Sequence, residues 1–94
     1  MNKIILDFNG LETKEAVQEY LVESFEFPEY YGMNLDALYD CLTDIDEATC
    51  IGIFIPEDED NPALPYLQRM TDVFRDAEDA NRNLGVIFGN PEEN

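Results

Sequence analysis

Apolar residues occur along this chain in two distinct patterns. Short, nearly continuous runs of aliphatic and aromatic residues predict three strands, at 3–8, 49–55 and 85–88. Apolar residues at every third or fourth position predict three helices, at 13–27, 35–43 and 64–81. The resulting order of strand, helix, helix, strand, helix, strand favours right-handed crossovers. We therefore expect an α/β fold in which three or four helices pack on a small three-stranded parallel sheet.

Polar residues and prolines mark the ends of these predicted elements. Thr13 and Asn34 are suited to cap the first and second helices, and Pro28 is a stop signal for the first. The first strand is apolar at almost every position, which is typical of a strand covered on both faces of a parallel sheet. The segment 57–62 is predicted to be an acidic loop, and 89–94 an acidic, frayed tail.

Length and charge limit the functions that the chain can have. Its 94 residues suffice for one modest core, so we expect a single domain over 1–94. With 22 acidic and 5 basic residues the formal net charge is −17, which favours cationic partners and argues against nucleic acid and membrane surfaces. No apolar run reaches the roughly 20 residues of a transmembrane helix, and the first residues do not resemble a signal peptide. We therefore expect a cytoplasmic protein.

Several chemistries lack the residues that they need. The absence of histidine removes the common nucleophilic triads and the commonest transition-metal ligand. Cys41 and Cys50 are too few for a disulfide framework or a four-cysteine zinc site, and their apolar neighbours predict two buried thiols in a reducing compartment. The segment 57–62 lacks the glycine and the distal glutamate of an EF-hand. We expect neither a metal nor a cofactor.

The second predicted helix, 35–43, has the most informative arrangement of acids. At about 100° per residue its leucines lie on one side, whereas Asp36, Asp40 and Thr43 share an arc of about 60° on the other, with Tyr39 at the border. The two carboxylates repel each other, and no basic residue is near them in sequence. Taken alone, this spacing favours an ordinary solvated face, and the alternative is a carboxylate pair held for a cation. An enzymatic acid/base pair is disfavoured, because both acids lie on one outward face of a short chain.

Aromatic residues lie close to this helix. Tyr30 and Tyr31 precede it, and we expect one of them to cap the edge of the core. An exposed tyrosine beside two carboxylates is typical of the centre of a protein interface. Asp76, on the outward side of the last predicted helix, would by itself be interpreted as solvated surface.

The run 28–43, PEYYGMNLDALYDCLT, resembles the signature of the barstar family, whose members are intracellular inhibitors of the secreted ribonuclease barnase. The resemblance lies in PEYYG, in NLDAL and in an aromatic residue followed by DCLT. At lower detail it extends over nearly the whole chain, including 73–77. It implies a three-stranded parallel sheet packed by helices, in agreement with the pattern above. It also implies an inhibitor that plugs a ribonuclease active site with the second helix and the loop before it.

The resemblance implies a role for each matching position. Asp40 corresponds to the carboxylate that takes the place of a substrate phosphate, and Asp36 to a second contact with the basic rim of the nuclease. Tyr30 matches the ring that packs on a catalytic histidine of the nuclease, Tyr39 stands where the family usually has tryptophan, and Asp76 meets the rim from the side. The implied partner-binding set is Tyr30, Gly32, Asn34, Leu35, Asp36, Tyr39, Asp40, Thr43, Asp44 and Asp76.

The chain departs from the family pattern near the end of the second helix. The pattern continues Thr-Gly-Trp where this chain has Thr43, Asp44 and Ile45, so a glycine and an aromatic residue are lost and a carboxylate is gained. Asp76 is one methylene shorter than the usual glutamate, and Met33 replaces a polar residue. These differences bear on which nuclease is bound rather than on the general role.

The predicted function is inhibition of a basic, barnase-like secreted ribonuclease by a protein that is not an enzyme and is a monomer when free. Two alternatives stay open. One is an immunity protein for a different toxin nuclease, and the other is a generic acidic mimic of nucleic acid. A mimic needs charge spread along an extended face, whereas an inhibitor needs charge concentrated around Asp36, Asp40 and Asp76.

Overall fold

The computed structural model describes residues 2–89 and contains the predicted elements in the predicted order. These elements are β1 (Asn2–Asp7), α1 (Lys14–Phe25), α2 (Leu35–Thr43), β2 (Thr49–Phe54), α3 (Leu64–Ala80) and β3 (Leu84–Gly89). The strands form one parallel sheet in the order β1-β2-β3. The predicted α/β class, with three helices on a three-stranded parallel sheet, is confirmed. Of the predicted tail, Gly89 ends β3, and 90–94 lie outside the described residues.

The core lies between the helices and one face of the sheet. Successive side chains of a strand point to opposite faces, so Leu6, Ile51 and Ile53 all point inward, and each is almost completely buried. The helices add buried leucines, aromatic residues and a methionine to the same cluster, among them Leu21, Leu38, Leu42, Leu67, Met70 and Phe74. Each fully buried aliphatic or aromatic side chain contributes about 1.5–3 kcal/mol. The core therefore fixes α2 against both the sheet and α3.

The outer face of the sheet is exposed, so the prediction that β1 is covered on both faces is wrong. Ile5 keeps 54% of its surface accessible and Ile87 keeps 63%, and the strand register places both beside Gly52 in one row across the sheet. The reason is that the buried hydrophobic residues of the described helices all join the cluster on the inner face. The prediction that Cys41 and Cys50 are buried is also wrong, because both thiols are only partly buried; both are free.

Candidate functional site

The start of α2 is fixed by a side-chain cap, as predicted from Asn34. The Oδ1 atom of Asn34 accepts a hydrogen bond from the amide of Ala37 at 2.7 Å, while its backbone is extended, with φ −145°. Its Nδ2 atom donates to the carbonyl of Gly32 at 3.1 Å, which folds the preceding loop onto the helix. A Cβ atom on Gly32 would lie only 3.2 Å from that same Nδ2 atom. The glycine therefore permits the close approach of loop and cap.

The loop before α2 is anchored to the core by Tyr31. This side chain is 7% exposed, and its hydroxyl donates to Oε1 of Gln18 at 2.6 Å. Gln18 is itself buried, and its Nε2 atom donates to the hydroxyl of Tyr66 at 2.6 Å. Burial raises the pKa of Tyr31 far above its ordinary value. The expectation that one of the two tyrosines caps the core edge is confirmed, and sequence reasoning did not identify Gln18.

Tyr30, the other tyrosine, lies on the surface. It is 89% exposed, and therefore presents almost its whole ring to solvent. Met33, in the same loop, is 44% exposed and has a φ of 55°, in the left-handed region that non-glycine residues seldom occupy. The loop thus displays apolar surface directly before the acidic helix.

The outward side of α2 is acidic and its inward side is apolar, as the spacing predicted. Leu38 and Leu42 are completely buried, whereas Asp36 and Asp40 are exposed. At 1.5 Å of rise per residue the Cα atoms of the two aspartates are about 6 Å apart along the helix. Within residues 2–89 neither carboxylate has a hydrogen-bond or ion-pair partner, and the sequence has no basic residue between Lys14 and Arg69. This pair is therefore free to bind a cation from outside.

Three further residues of the predicted set have mixed surroundings. Leu35 and Tyr39 are half-buried and pack against the core, so each presents only part of its side chain to a partner. The hydroxyl of Thr43 donates to the carbonyl of Tyr39 at 3.0 Å, which is a bond within the helix. These residues support the acidic face and contribute contact area at its border.

The end of α2 is tied to the end of α3 by Asn81, which sequence reasoning missed. The Nδ2 atom of Asn81 lies 3.0 Å from the carbonyl oxygen of Leu42 and 2.9 Å from that of Ile45. Asp44 caps the helix, and its amide donates to the carbonyl of Asp40 at 3.2 Å. An asparagine directly after a helical pattern is a known cap signal, but its long-range partners are not readable from sequence.

Asp76 lies on a different helix from Asp36 and Asp40. It is exposed on α3, the helix that packs against α2, between the buried residues Phe74 and Ala77. Within the described residues its carboxylate makes no contact with Asp36 or Asp40. Tyr30 and the α2 aspartates are thus exposed on one loop and the helix that follows it, whereas Asp76 is exposed on a second helix that packs against α2.

Between residues 2 and 89 no group of three cysteine, aspartate or glutamate side chains is arranged to hold a metal ion. None of the helices in that range is long and apolar enough to cross a membrane. The arrangement therefore offers two carboxylates without a cationic partner among the described residues, Asp36 and Asp40, and the exposed ring of Tyr30, all carried by a loop and a helix that are fixed to the core.

Comparison with known proteins identifies the family. A family model described as "Barstar (barnase inhibitor)" matches residues 1–89. A protein of Bacillus subtilis (strain 168) named "Putative ribonuclease inhibitor YrdF" is 51% identical over 43 residues, which are 46% of this chain and 47% of that protein. The match to that relative thus spans about half of its length. Because the family model covers nearly the whole chain, the chain belongs to the barstar family.

Proposed function

We propose that this protein inhibits a basic, secreted, barnase-like ribonuclease by covering its active site with α2 and the loop before it. The description of the matching family and the name of the relative both support an inhibitor rather than an enzyme. The observation that carries the proposal is the outward pair Asp36 and Asp40, which has no partner within the described residues and follows a loop that carries the exposed Tyr30.

Asp40 takes the place of a substrate phosphate in the proposed complex. A ribonuclease active site presents cationic groups to a phosphate, and charge-assisted hydrogen bonds from such groups to a carboxylate are stronger than neutral ones. A carboxylate attached to a helix has no bond that the nuclease can cleave, so it occupies the site without turnover. Asp36 pairs with the basic rim, and the ring of Tyr30 supplies apolar contact area at low entropic cost.

The frame beneath these groups lowers the cost of binding. Asn34 and Asn81 fix the two ends of α2, and the buried Tyr31 holds the loop that carries Tyr30. Groups that are already ordered lose little conformational freedom on association, so more of the interaction energy appears as affinity.

The charge of the whole chain favours fast association and a free monomer. A net charge of −17 attracts a basic nuclease over long distances, an effect for which the barnase–barstar complex is the standard example. The same charge makes two copies of the chain repel each other. The free thiols of Cys41 and Cys50 fit a reducing compartment, so we place the inhibitor in the cytoplasm.

A nuclease other than barnase is the second candidate for the partner. Asp44 and Ile45 replace the glycine and tryptophan of the family pattern, and they lie at the end of the helix that is proposed to enter the active site. A carboxylate at this place would suit a partner with an additional cation opposite it. An immunity protein for a different toxin nuclease would have the same architecture.

The proposal is tested by titrating ribonuclease activity with the wild-type protein and variants. The nucleases are barnase and the basic ribonucleases secreted by the source organism. Asp40→Ala is expected to weaken inhibition at least about 30-fold, which corresponds to the hot-spot threshold of about 2 kcal/mol. Its free energy of unfolding should stay within about 0.5 kcal/mol of wild type, as for other surface substitutions. Binding thus changes while folding does not.

Two variants serve as controls. Glu19→Ala removes an exposed acid from α1, and Asp58→Ala removes one from the acidic loop. Each should slow association slightly and leave dissociation almost unchanged, as charges at a rim do. If these variants weaken inhibition as much as Asp40→Ala, the acidity acts as a diffuse field and a nucleic-acid mimic becomes the better description. If Asp40→Ala unfolds the protein, the carboxylate is structural and the site assignment is wrong.

A further inference from the structure

A cleft of about 300 Å³ lies where α1 and α2 both end. Its apolar lining includes Phe25, Phe27, Cys41 and Ile45, and its two acidic lining residues are Glu26 and Asp44. The rings of Phe25 and Phe27 are stacked, with 5.1 Å between their centres and 5° between their planes. Phe27 also packs on Tyr31, at 4.5 Å, and Phe25 on Phe74, at 6.4 Å, so this pair forms an apolar wall, and the exposed Tyr30 is the lining ring with free faces. The cleft therefore has an accessible aromatic ring and two carboxylates within one small volume.

The electrostatic field in this cleft is negative because of two kinds of charge, the carboxylates of Glu26 and Asp44 and the carbonyl ends of two helices. Glu26 is the C-cap of α1 and Asp44 is the C-cap of α2, so two helix ends with partial negative charge meet there. Neither helix has a basic residue in its last turn. Burial raises the pKa of the Cys41 thiol, and the charges of Asp44 and Asp40 raise it further, as expected in a negative field.

No cation of the chain lines the cleft. Lys3 lines a neighbouring pocket that shares Phe25, Glu26 and Ile45 with it, but within the described residues no ion pair joins Lys3 to Glu26. Residues 15–68, which include the whole lining of the cleft, contain no lysine or arginine. The side chains of Lys14 and Arg69 both lie over the ring of Tyr66, at 5.9 and 5.7 Å from its centre. Arg75 lies over Phe88, at 4.7 Å. These three cations are thus engaged with rings that do not line the cleft.

The geometry points to a receptor for an arginine side chain of the partner nuclease. A guanidinium group stacks on aromatic rings and pairs with carboxylates, whereas its aliphatic stem suits an apolar wall such as Ile45. The cleft shares Tyr30 and Asp44 with the proposed inhibitory surface, so the inference rests on the proposed function. It extends the interface from α2 to the end of α1, and it makes Glu26 a binding residue.

The test uses the peptide acetyl-Gly-Arg-Gly-amide as the probe and the same peptide with citrulline as its uncharged match. Amide resonances of ¹⁵N-labelled protein are followed during each titration. Saturable shifts are expected at 26–27 and 41–45 with the arginine peptide, and binding of the citrulline peptide should be weaker by at least about threefold, because it lacks the charge. Equal shifts with both peptides, or shifts spread evenly over the acidic surface, would overturn the inference.

Matched variants separate the cleft from the general acidity of the chain. Glu26→Gln combined with Asp44→Asn keeps the shape and removes both charges, and should weaken binding of the arginine peptide at least about threefold. Glu19→Gln combined with Asp58→Asn removes two exposed charges outside the cleft and outside the inhibitory surface, and should leave that binding almost unchanged. Ile45→Trp fills the cleft without a change of charge and should abolish the shifts. A denaturant melt of each variant shows that it is folded, and equal weakening by the two double variants contradicts the inference.

The two proposals can fail separately. If the wild-type protein inhibits no ribonuclease but binds the arginine peptide in the cleft, the proposed function is wrong and the assignment of the cleft as an arginine site is supported. Suppose instead that it inhibits a nuclease, that the arginine peptide does not bind in the cleft, and that Glu26→Gln combined with Asp44→Asn does not change inhibition. The arginine site is then wrong and the proposed inhibitory function is supported. In the expected case the double variant also raises the concentration needed for half inhibition at least about threefold.

Discussion

At the scale of single residues, two adjacent tyrosines have opposite surroundings. Tyr30 is 89% exposed, whereas Tyr31 is 7% exposed and bonded to the buried Gln18. A loop can direct neighbouring side chains to opposite sides, so one tyrosine anchors the loop while the other presents its ring to a partner. A hydroxyl in such a buried position must stay protonated, because ionisation would place a charge among apolar residues.

Tyr31→Phe tests this assignment through pH. The pKa of Tyr31 is raised in the folded state above the value of about 10 in the unfolded chain. The protonated residue therefore contributes stability that is complete below about pH 10 and is lost as pH rises further, with a slope of at most about 1.4 kcal/mol per pH unit. Denaturant unfolding between about pH 8 and about pH 11 should show this loss in the wild type and a smaller loss in Tyr31→Phe.

The exposed neighbour provides the control for that measurement. Tyr30→Phe removes a hydroxyl that is accessible in both states, so its stability profile should follow that of the wild type. If Tyr31→Phe keeps the full alkaline loss, other groups with raised pKa values, such as Cys41, cause it.

At the scale of elements, the two ends of α2 are held in different ways. Asn34 caps the start through a bond to a residue three positions away, whereas the end is held by Asn81, the residue that follows α3. Both asparagines satisfy backbone groups that a helix leaves without partners. The acidic face of α2 therefore depends on one local contact and one long-range contact.

Asn81→Ala should destabilise the protein and loosen the end of α2. The substitution leaves the carbonyls of Leu42 and Ile45 without this buried donor, which costs about 1–3 kcal/mol. Denaturant unfolding measures the loss, and hydrogen exchange should become faster at 43–46. Arg82→Ala, an exposed neighbour, should change the free energy of unfolding by no more than about 0.5 kcal/mol. Equal stability of the two variants would show that water replaces the Asn81 amide.

The sequence allowed the elements to be predicted but not the contacts between them. Apolar spacing located all three helices, and the Asn34 cap is a signal confined to four residues. The Nδ2 atom of Asn81, by contrast, donates to residues at least 36 positions away, and no local pattern specifies such a pair. The exposed face of β1 was mispredicted for a related reason. A run of apolar residues shows that a strand can be buried, and the number and placement of helices decide whether it is.

The same distinction applies to the site. The outward arc of Asp36 and Asp40 follows from helical geometry and was predicted correctly as an exposed face. Two other features depend on tertiary packing and could not be predicted. One is which tyrosine is buried, and the other is the cleft at which α1 and α2 both end. The partner roles of Tyr30, Asp36, Asp40, Asp44 and Asp76 stay predictions until a complex with a nuclease is measured.

At the scale of the whole molecule, the acidic groups outnumber the cations that could pair with them. The chain has 22 acidic and 5 basic residues, and three of those cations lie over aromatic rings. The acids on α1, on α2 and in the loop after β2 are almost all exposed, so they repel one another across the surface. Folding brings these charges closer together than they are in the unfolded chain, and the repulsion therefore lowers the free energy of unfolding.

Salt should consequently stabilise this protein. The Debye length falls from about 30 Å at 0.01 M salt to below about 8 Å at 0.3 M, so repulsion between acids on different elements is screened. A gain of about 1 kcal/mol would raise the melting temperature by about 4–8 °C for a domain of this size. Thermal melts in sodium chloride measure the change, and tetramethylammonium chloride, whose bulky cation binds carboxylates poorly, should give the same rise if screening is the cause. Glu19→Gln combined with Glu23→Gln, two exposed acids of α1, should reduce the salt dependence. A melting temperature that stays constant or falls with salt would show that repulsion between the acids does not lower the stability of the fold. It would also contradict the unrelieved negative surface on which the electrostatic attraction of a basic nuclease depends.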